Sequence, residues 1–207
     1  MTNRTLQQLG LTATHGMISN PVIAGICVDS RNCSRNDLFA AMPGLVVHGG
    51  EFVPQALRMG AAAILTDTIG LELTQKYVGK IDVPIVVSSE PRRSLALASA
   101  RCYVGQPASM VAVTGTNGKT SVANFTRQIW ELMGRAAVNF GTTGVEGAYA
   151  AATKHTTPEP VTLHKLLNTL KSVGITHAAM EASSHGLEQQ RLDGVYLTAG
   201  AYTNFSQ

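Results

Sequence analysis

In the run Val111-Ala112-Val113-Thr114-Gly115-Thr116-Asn117-Gly118-Lys119-Thr120-Ser121, a lysine and two hydroxyls directly follow a turn bounded by two glycines. The first residues are apolar and β-prone, and Lys-Thr opens a stretch with helical spacing. That order of parts suits a nucleoside triphosphate. Gly115 and Gly118 let backbone N–H groups approach phosphate oxygens. Lys119 offers a point charge to the β- and γ-phosphates, and the Thr120 hydroxyl can ligate a phosphate-bound Mg²⁺. The helix start adds partial positive charge. The general phosphate-loop pattern, G-x-x-x-x-G-K-[ST], calls for glycine where this chain has Val113, so the form here is the shorter G-T-N-G-K-T. A glycine-rich turn that binds nothing is the plainer alternative. The joint order of strand, glycines, lysine, hydroxyl and helix favours the phosphate.

A second candidate is Glu181, which follows the apolar run Ala178-Ala179-Met180 and opens Glu181-Ala182-Ser183-Ser184-His185-Gly186-Leu187. A carboxylate at a strand end beside a phosphate loop can hold Mg²⁺ directly or through water. The alternative is a carboxylate that only offsets a helix dipole. His185 could act as a base or contact a ligand, but a helix-start residue bonded to nearby backbone is the stronger reading. His15, His48, His164 and His177 show no ligand spacing. In Lys154-His155-Thr156-Thr157-Pro158-Glu159, Thr157 as N-cap and Pro158 in the first turn of a helix are structural readings, while the Thr-Thr pair also suits an anion. Val28-Asp29-Ser30-Arg31 is open too, with a polar turn the stronger reading and a binding loop the alternative. No Ser/His/Asp order or Cys/His pair points to nucleophilic catalysis.

The elements that must position these residues alternate between strands and helices. Gly25–Asp29, Leu38–Met42, Ala61–Thr66 and Pro84–Val87 read as strands. Helices are expected over Phe52–Met59, burying Phe52, Ala56, Leu57 and Met59, and over Pro91–Tyr103. Gly105-Gln106-Pro107 then breaks the pattern and marks a domain boundary near residue 107. The helix after the phosphate loop carries Val122, Phe125, Ile129 and Leu132/Met133 at helical spacing. Ala136–Asn139, Thr176–Met180 and Leu197–Thr203 read as strands, the last of them central, and Val161–Val173 as a helix. The fold class is therefore α/β, with mostly parallel sheets covered on both faces. Ligands on such sheets sit at the carboxyl ends of the strands, where the phosphate loop and Glu181 both fall.

Composition sets the outer bounds. The 207 residues are 44% hydrophobic and 14% charged with 20 glycines, enough for two small domains with real cores and far from a disordered composition. The net charge of +3 is scattered rather than clustered, which gives nucleic-acid binding little support. The three cysteines, Cys27, Cys33 and Cys102, show no CxxC spacing and suit small buried residues in a reducing, cytoplasmic compartment. Apolar runs are strand-sized, too short for membrane insertion.

Taken together, several segments resemble the Mur ligases, the ATP-dependent amide ligases of peptidoglycan synthesis. They are Thr114–Ser121, Val28-Asp29-Ser30-Arg31, Asp37-Leu38-Phe39-Ala40-Ala41-Met42-Pro43-Gly44, Gly141-Thr142-Thr143-Gly144, Thr156-Thr157-Pro158, Met180–Leu187 and Tyr202-Thr203-Asn204. The E-x-S-S-H-G-L and T-T-P forms are most similar to members that add the third, diamino acid residue of the stem peptide. The resemblance implies a UDP-substrate domain over residues 1–107, with Val28 and Ser30 at the uridine site. It implies an ATP-binding central domain over 108–207, of the phosphate-loop, mostly parallel type. ATP would lie on Gly115, Thr116, Asn117, Gly118, Lys119, Thr120 and Ser121, with Lys119 and Glu181 catalytic and Thr120 and Glu181 on Mg²⁺. The sugar-peptide of UDP-MurNAc-L-Ala-D-Glu would contact Thr156, Thr157, Ser183, Gln189 and Arg191. His155 stands where many family members carry Asn. The implied reaction activates the D-glutamyl carboxylate as an acyl phosphate, which the amine of a diamino acid displaces. The family continues beyond Asn204 into further metal-binding and amino-acid-binding parts, so the chain is expected to be an N-terminal fragment that does not complete ligation. Another ligase on the same scaffold, of the folylpolyglutamate or cyanophycin synthetase type, and a non-catalytic nucleotide-binding module are the alternatives.

Overall fold

The computed structural model describes residues 3–205, which fall into two compact units divided between Tyr103 and Val104. In the first unit, a two-residue ribbon pairs β1 (Arg4–Thr5) with β3 (Val22–Ile23). The main sheet holds β2 (His15–Gly16), β4 (Gly25–Cys27), β5 (Asp37–Ala40), β6 (Ala63–Thr66) and β7 (Pro84–Val87) in the order β2-β7-β6-β5-β4. Strands β4 to β7 run parallel, and only β2 is antiparallel. Every residue of β5 and β6 is buried, as a parallel strand covered on both faces requires.

Three helices flank this sheet: α1 (Val53–Arg58), α2 (Thr68–Val78) and α3 (Pro91–Cys102). Helix α1 buries Val53 and Ala56, whereas Phe52 and Met59, expected in the core, lie about half exposed at its ends. A turn of 3-10 helix over Gly49–Phe52 precedes it and rotates Phe52 out of the inward stripe. Helix α2 had no counterpart in the sequence pattern. Its start is held by Asp67, whose carboxylate accepts from Gly70 N–H at 2.8 Å.

The second unit has β8 (Ser109–Thr114), α4 (Lys119–Leu132), β9 (Ala137–Gly141), β10 (Gly144–Gly147), α5 (Pro160–Ser172), β11 (His177–Glu181), the short α6 (Ser184–Glu188) and β12 (Ala199–Tyr202). The sheet order is β10-β9-β11-β8-β12, parallel except for β10. Its core joins Met110, Phe140, Met180, Leu163, Leu167 and Leu170. The α/β class with mostly parallel sheets is thus the observed one.

Three expectations change. Helix α4 turns Ala123 inward, with Val122 and Trp130 beside it, and leaves Phe125, Ile129, Leu132 and Met133 at 60%, 57%, 89% and 63% exposure. Ala123 meets Ala179 and Val113 there. Small residues let the helix lie close to the sheet, and that close approach selects the face that apolarity alone would have turned out. Helix α5 begins at Pro160 with Glu159 as its cap, its carboxylate accepting from Val161 N–H at 2.9 Å and Thr162 N–H at 2.8 Å. Thr157 and Pro158 therefore precede the helix. Strand β12 pairs only with β8 among the described residues and so forms an edge rather than the centre of the sheet. No helix among the described residues is long and apolar enough to cross a membrane.

Candidate functional site

Register places the site. Strands β8 and β11 run side by side with Glu181 opposite Val113, so the carboxylate emerges where β8 turns into the phosphate loop. The loop turns at Gly115 (φ 130°) and Gly118 (φ 84°), a left-handed bend that L side chains resist. A Cβ on Gly118 would have no atom nearer than 3.9 Å, so the space before that residue is open. Helix α4 starts at Lys119, and its first-turn N–H groups have no acceptors within the helix. The Lys119 ammonium folds back on the loop, donating to Gly115 O at 2.6 Å and Thr116 O at 3.1 Å.

The loop is also fastened from the far end of the chain. Thr116 N–H donates to Asn204 O at 3.1 Å and Asn117 N–H to Asn204 Oδ1 at 3.2 Å. Thr203 Oγ1 and Asn204 Nδ2 donate to Asn117 O at 2.6 and 3.1 Å. Their contacts were not assigned from sequence. The Tyr202-Thr203-Asn204 run was the only available signal.

Glu181 is 2% exposed, and its carboxyl group accepts three hydrogen bonds, all from neutral donors. They come from Thr120 Oγ1 at 3.0 Å, Thr142 N–H at 3.0 Å and Thr142 Oγ1 at 3.3 Å. No cationic side chain pairs with it among the described residues. A buried carboxylate beside a hydroxyl, with no positive partner of its own, is a donor set that fits Mg²⁺. Open space at Gly118, the first-turn N–H groups of α4 and a nearby ammonium fit a polyphosphate in the same way. Gly141 makes the arrangement possible, since a Cβ there would collide with the Glu181 carboxyl group. Thr142 was missed as a site residue. Its signal was the Gly-rich Gly141–Gly144 turn at the end of β9.

A second cluster lies beside the first. Thr142 Oγ1 and Thr156 Oγ1 are 3.1 Å apart. Thr157 is 1% exposed. Its hydroxyl donates to Glu181 O at 3.1 Å and accepts from Ser183 N–H at 2.9 Å, with Ser183 Oγ 3.1 Å away. Ser183 caps α6 by accepting from Gly186 N–H at 3.0 Å. Arg191 donates to Thr157 O at 2.6 Å and grips Gln189 Oε1 with Nε at 3.0 Å and Nη2 at 2.7 Å. Thr156, Thr157, Ser183, Gln189 and Arg191 are therefore continuous with Glu181. His185 joins this cluster at its exposed margin, with its Nε2 2.9 Å from Gln189 Nε2 and its Nδ1 3.8 Å from the Glu188 carboxylate.

In the first unit, Val28 is exposed after β4, and Ser30 opens a turn of 3-10 helix, Ser30–Asn32. Ser30 is buried and donates to Gln55 Oε1 at 2.9 Å. Asp29 caps the turn through Arg31 N–H at 3.0 Å and ion-pairs with the Arg31 guanidinium at 2.7 Å. Hydrogen bonds from Arg31 hold the Asp29 carboxyl down at about 2.

Comparison with known proteins bears on the identity of both units. A family model described as the Mur ligase middle domain matches residues 113–207, and one described as the Mur ligase family, catalytic domain, matches residues 22–100. The UDP-N-acetylmuramoyl-L-alanyl-D-glutamate--2,6-diaminopimelate ligase of Chelativorans sp. (strain BNC1) is 51% identical over 189 residues, covering 89% of this chain and 37% of that protein. The ligase of the same name from Agrobacterium fabrum is 49% identical, covering 89% and 36%. A solved structure of a ligase of that name superposes on the whole chain with a TM-score of 0.81 at 27% identity, over 41% of its own length. The MurF ligase of Thermotoga maritima, solved in complex with ADP, shares the fold at a TM-score of 0.55 and 18% identity, covering 84% of this chain and 35% of its own. The chain thus spans somewhat over a third of the length of the curated relatives it matches. It carries the N-terminal and middle domains of the Mur ligases, and belongs to that family.

Proposed function

We propose that this chain supplies the nucleotide-binding and UDP-substrate-binding parts of a cytoplasmic, ADP-forming amide ligase. That ligase joins a diamino acid to UDP-MurNAc-L-Ala-D-Glu. The name of its relatives makes 2,6-diaminopimelate the diamino acid of choice. The observation that carries the reading is the Thr120–Glu181–Thr142 cluster standing against the loop that holds Lys119.

ATP takes the loop Gly115–Ser121, and Thr120 and Glu181 hold Mg²⁺. Bound together, they supply the phosphoryl group and charge neutralisation that turn a carboxylate into an acyl phosphate. The chain's own groups do the rest. Lys119 swings from its two loop carbonyls to the phosphates, an exchange of neutral partners for charged ones. First-turn N–H groups of α4 stabilise the added negative charge. Arg191 is held by Gln189 and the Thr157 carbonyl, which aims a cation at an anionic substrate. Thr156 and Ser183 offer hydroxyls to the sugar-peptide. Thr157, buried, acts by fixing the Ser183 and Glu181 backbone. Residues 1–107 form the UDP-substrate domain, with Val28 facing the uridine and Ser30 holding its turn through Gln55. Residues 108–207 form the ATP domain.

Calorimetry on the 207-residue chain tests this. ATP with Mg²⁺ and UDP-MurNAc-L-Ala-D-Glu should each bind the wild type. Lys119→Ala should abolish the first with the second intact, and its melting temperature without ligand should stay within a degree or two. Ser30→Ala should weaken the second and spare the first. A wild-type chain that folds and binds neither ligand refutes the proposal.

A further inference from the structure

Outside the nucleotide and substrate residues, one group of metal-ligating side chains stands out. The Cys27 sulfur, the Cys33 sulfur and a carboxylate oxygen of Asp37 lie within 4.8 Å of one another, and all three residues are buried. It is the only such trio among the described residues. Cys27 ends β4, Cys33 follows the Ser30–Asn32 turn and Asp37 opens β5, so two adjacent parallel strands and the turn between them converge on one point.

The trio lacks any positive charge. Asp37 accepts a hydrogen bond from Ser34 N–H at 2.9 Å, and no cationic side chain pairs with it among the described residues. Cys33 has only a 4.0 Å contact with Ser34 O as a donor. A buried carboxylate beside two soft donors is costly unless something cationic offsets it. Tetrahedral zinc, with Zn–S of about 2.3 Å and Zn–O of about 2.0–2.2 Å, sets its ligand atoms about 3.5–3.8 Å apart. Cys27, Cys33 and Asp37 need to close by at most about 1.0–1.3 Å to reach that spacing, within the reach of side-chain rotation.

We propose that Cys27, Cys33 and Asp37 form a binding site for a soft divalent cation of the zinc type. Two thiols and a carboxylate select such an ion over Mg²⁺, which prefers oxygen ligands alone. On binding, the two thiols release their protons to solvent, and the ion is held by two thiolates and one carboxylate. The fourth position is left to water. The ion closes a clip across residues 27–33, at the base of the turn that carries Val28 and Ser30. The cation site stands whether or not that turn receives a uridine.

The reduced, chelator-treated 207-residue chain is titrated with Co²⁺ alone, and thiolate-to-cobalt charge-transfer absorption is followed. The band should saturate at one ion per chain, and Zn²⁺ should displace it. Cys27→Ala and Cys33→Ala should each abolish the band, Asp37→Asn should weaken binding at least tenfold, and Cys102→Ala should leave it unchanged. No band in the folded wild type overturns the site outright, whatever the variants do. A band that survives both cysteine substitutions overturns it too. Where a variant fails to fold, a wild-type melting temperature raised by Zn²⁺ and returned by chelator supports the site, and one that Zn²⁺ leaves unmoved overturns it.

Discussion

Substituting Gly141 by alanine tests the geometry around Glu181 without touching any group that contacts a ligand. The backbone at Gly141 is not in the left-handed region, so alanine brings no conformational strain and by propensity alone is neutral or slightly favourable. The added Cβ would nevertheless collide with the Glu181 carboxyl group and stand 2.5 Å from its Cγ. Carbon atoms in contact sit about 3.5–4.0 Å apart, so the side chain must retreat by roughly 1 Å or more. Retreat breaks the hydrogen bonds from Thr120 Oγ1 and Thr142 N–H, both 3.0 Å. Each bond to a charged acceptor contributes about 1.5–3 kcal/mol, and partial rehydration returns some of it, so the expected loss is about 2–4 kcal/mol. Amide exchange of β9 and β11 in the whole chain reads this loss within the second unit, where a single unfolding transition for two units would blur it. In a Glu181→Ala background the clash partner is gone, and Gly141→Ala should then cost under about 1 kcal/mol. An equal cost in both backgrounds would refute the reasoning, because the strain would then lie elsewhere than at the carboxylate. Mg²⁺-dependent ATP affinity should fall at least tenfold in Gly141→Ala, about 1.4 kcal/mol, while Mg²⁺-free binding changes little.

Thr157→Val keeps the shape but removes the hydroxyl that serves Glu181 O and Ser183 N–H, and the orphaned groups should cost about 1–3 kcal/mol, read by amide exchange at α6 and β11. His164 is buried, which lowers its pKa, and it bonds to Asp193 O at 3.1 Å. The folded chain therefore binds this proton less readily than the unfolded chain, whose value is 6.5. The stabilisation is fully present above that value and is lost as the pH falls below it, at a slope of at most about 1.4 kcal/mol per pH unit. Urea unfolding of the second unit between pH 5 and 7 should show the slope, and His164→Gln should flatten it.

Much of this arrangement was legible in the residues, and the exceptions have physical causes. The parallel strands were readable because β5, β6 and β11 each carry an unbroken apolar run, Leu38–Ala40, Ala63–Leu65 and Ala178–Met180, as two-sided burial demands. That the glycine turn and Glu181 lie together was readable because each follows an apolar run, and parallel neighbouring strands bring such ends to one edge of the sheet. Of the two readings open for Thr157, the helix cap falls to Glu159, and only the approach of β11 gives the Thr157 hydroxyl its other partners. The inward face of α4 could not be read from apolarity, because contact with Ala179 rewards the small Ala123 over the larger Phe125 and Ile129. Helix α2 escaped notice because its buried residues, Gly70, Leu71 and Thr74, include only one large apolar side chain. The convergence of Cys27, Cys33 and Asp37 depends on how β4 and β5 pair, which spacing along the chain does not reveal.

The bonds from Thr203 and Asn204 to the phosphate loop span 86 to 88 positions of sequence. Such distant partners meet only after an intervening stretch has collapsed, and closing so long a segment is slow. During synthesis from the N-terminus, the loop therefore emerges long before the residues that shape it. Affinity for nucleotide should arise in one late step, when β12 docks onto β8, and a nascent chain halted ahead of that strand should carry the motif without its grip.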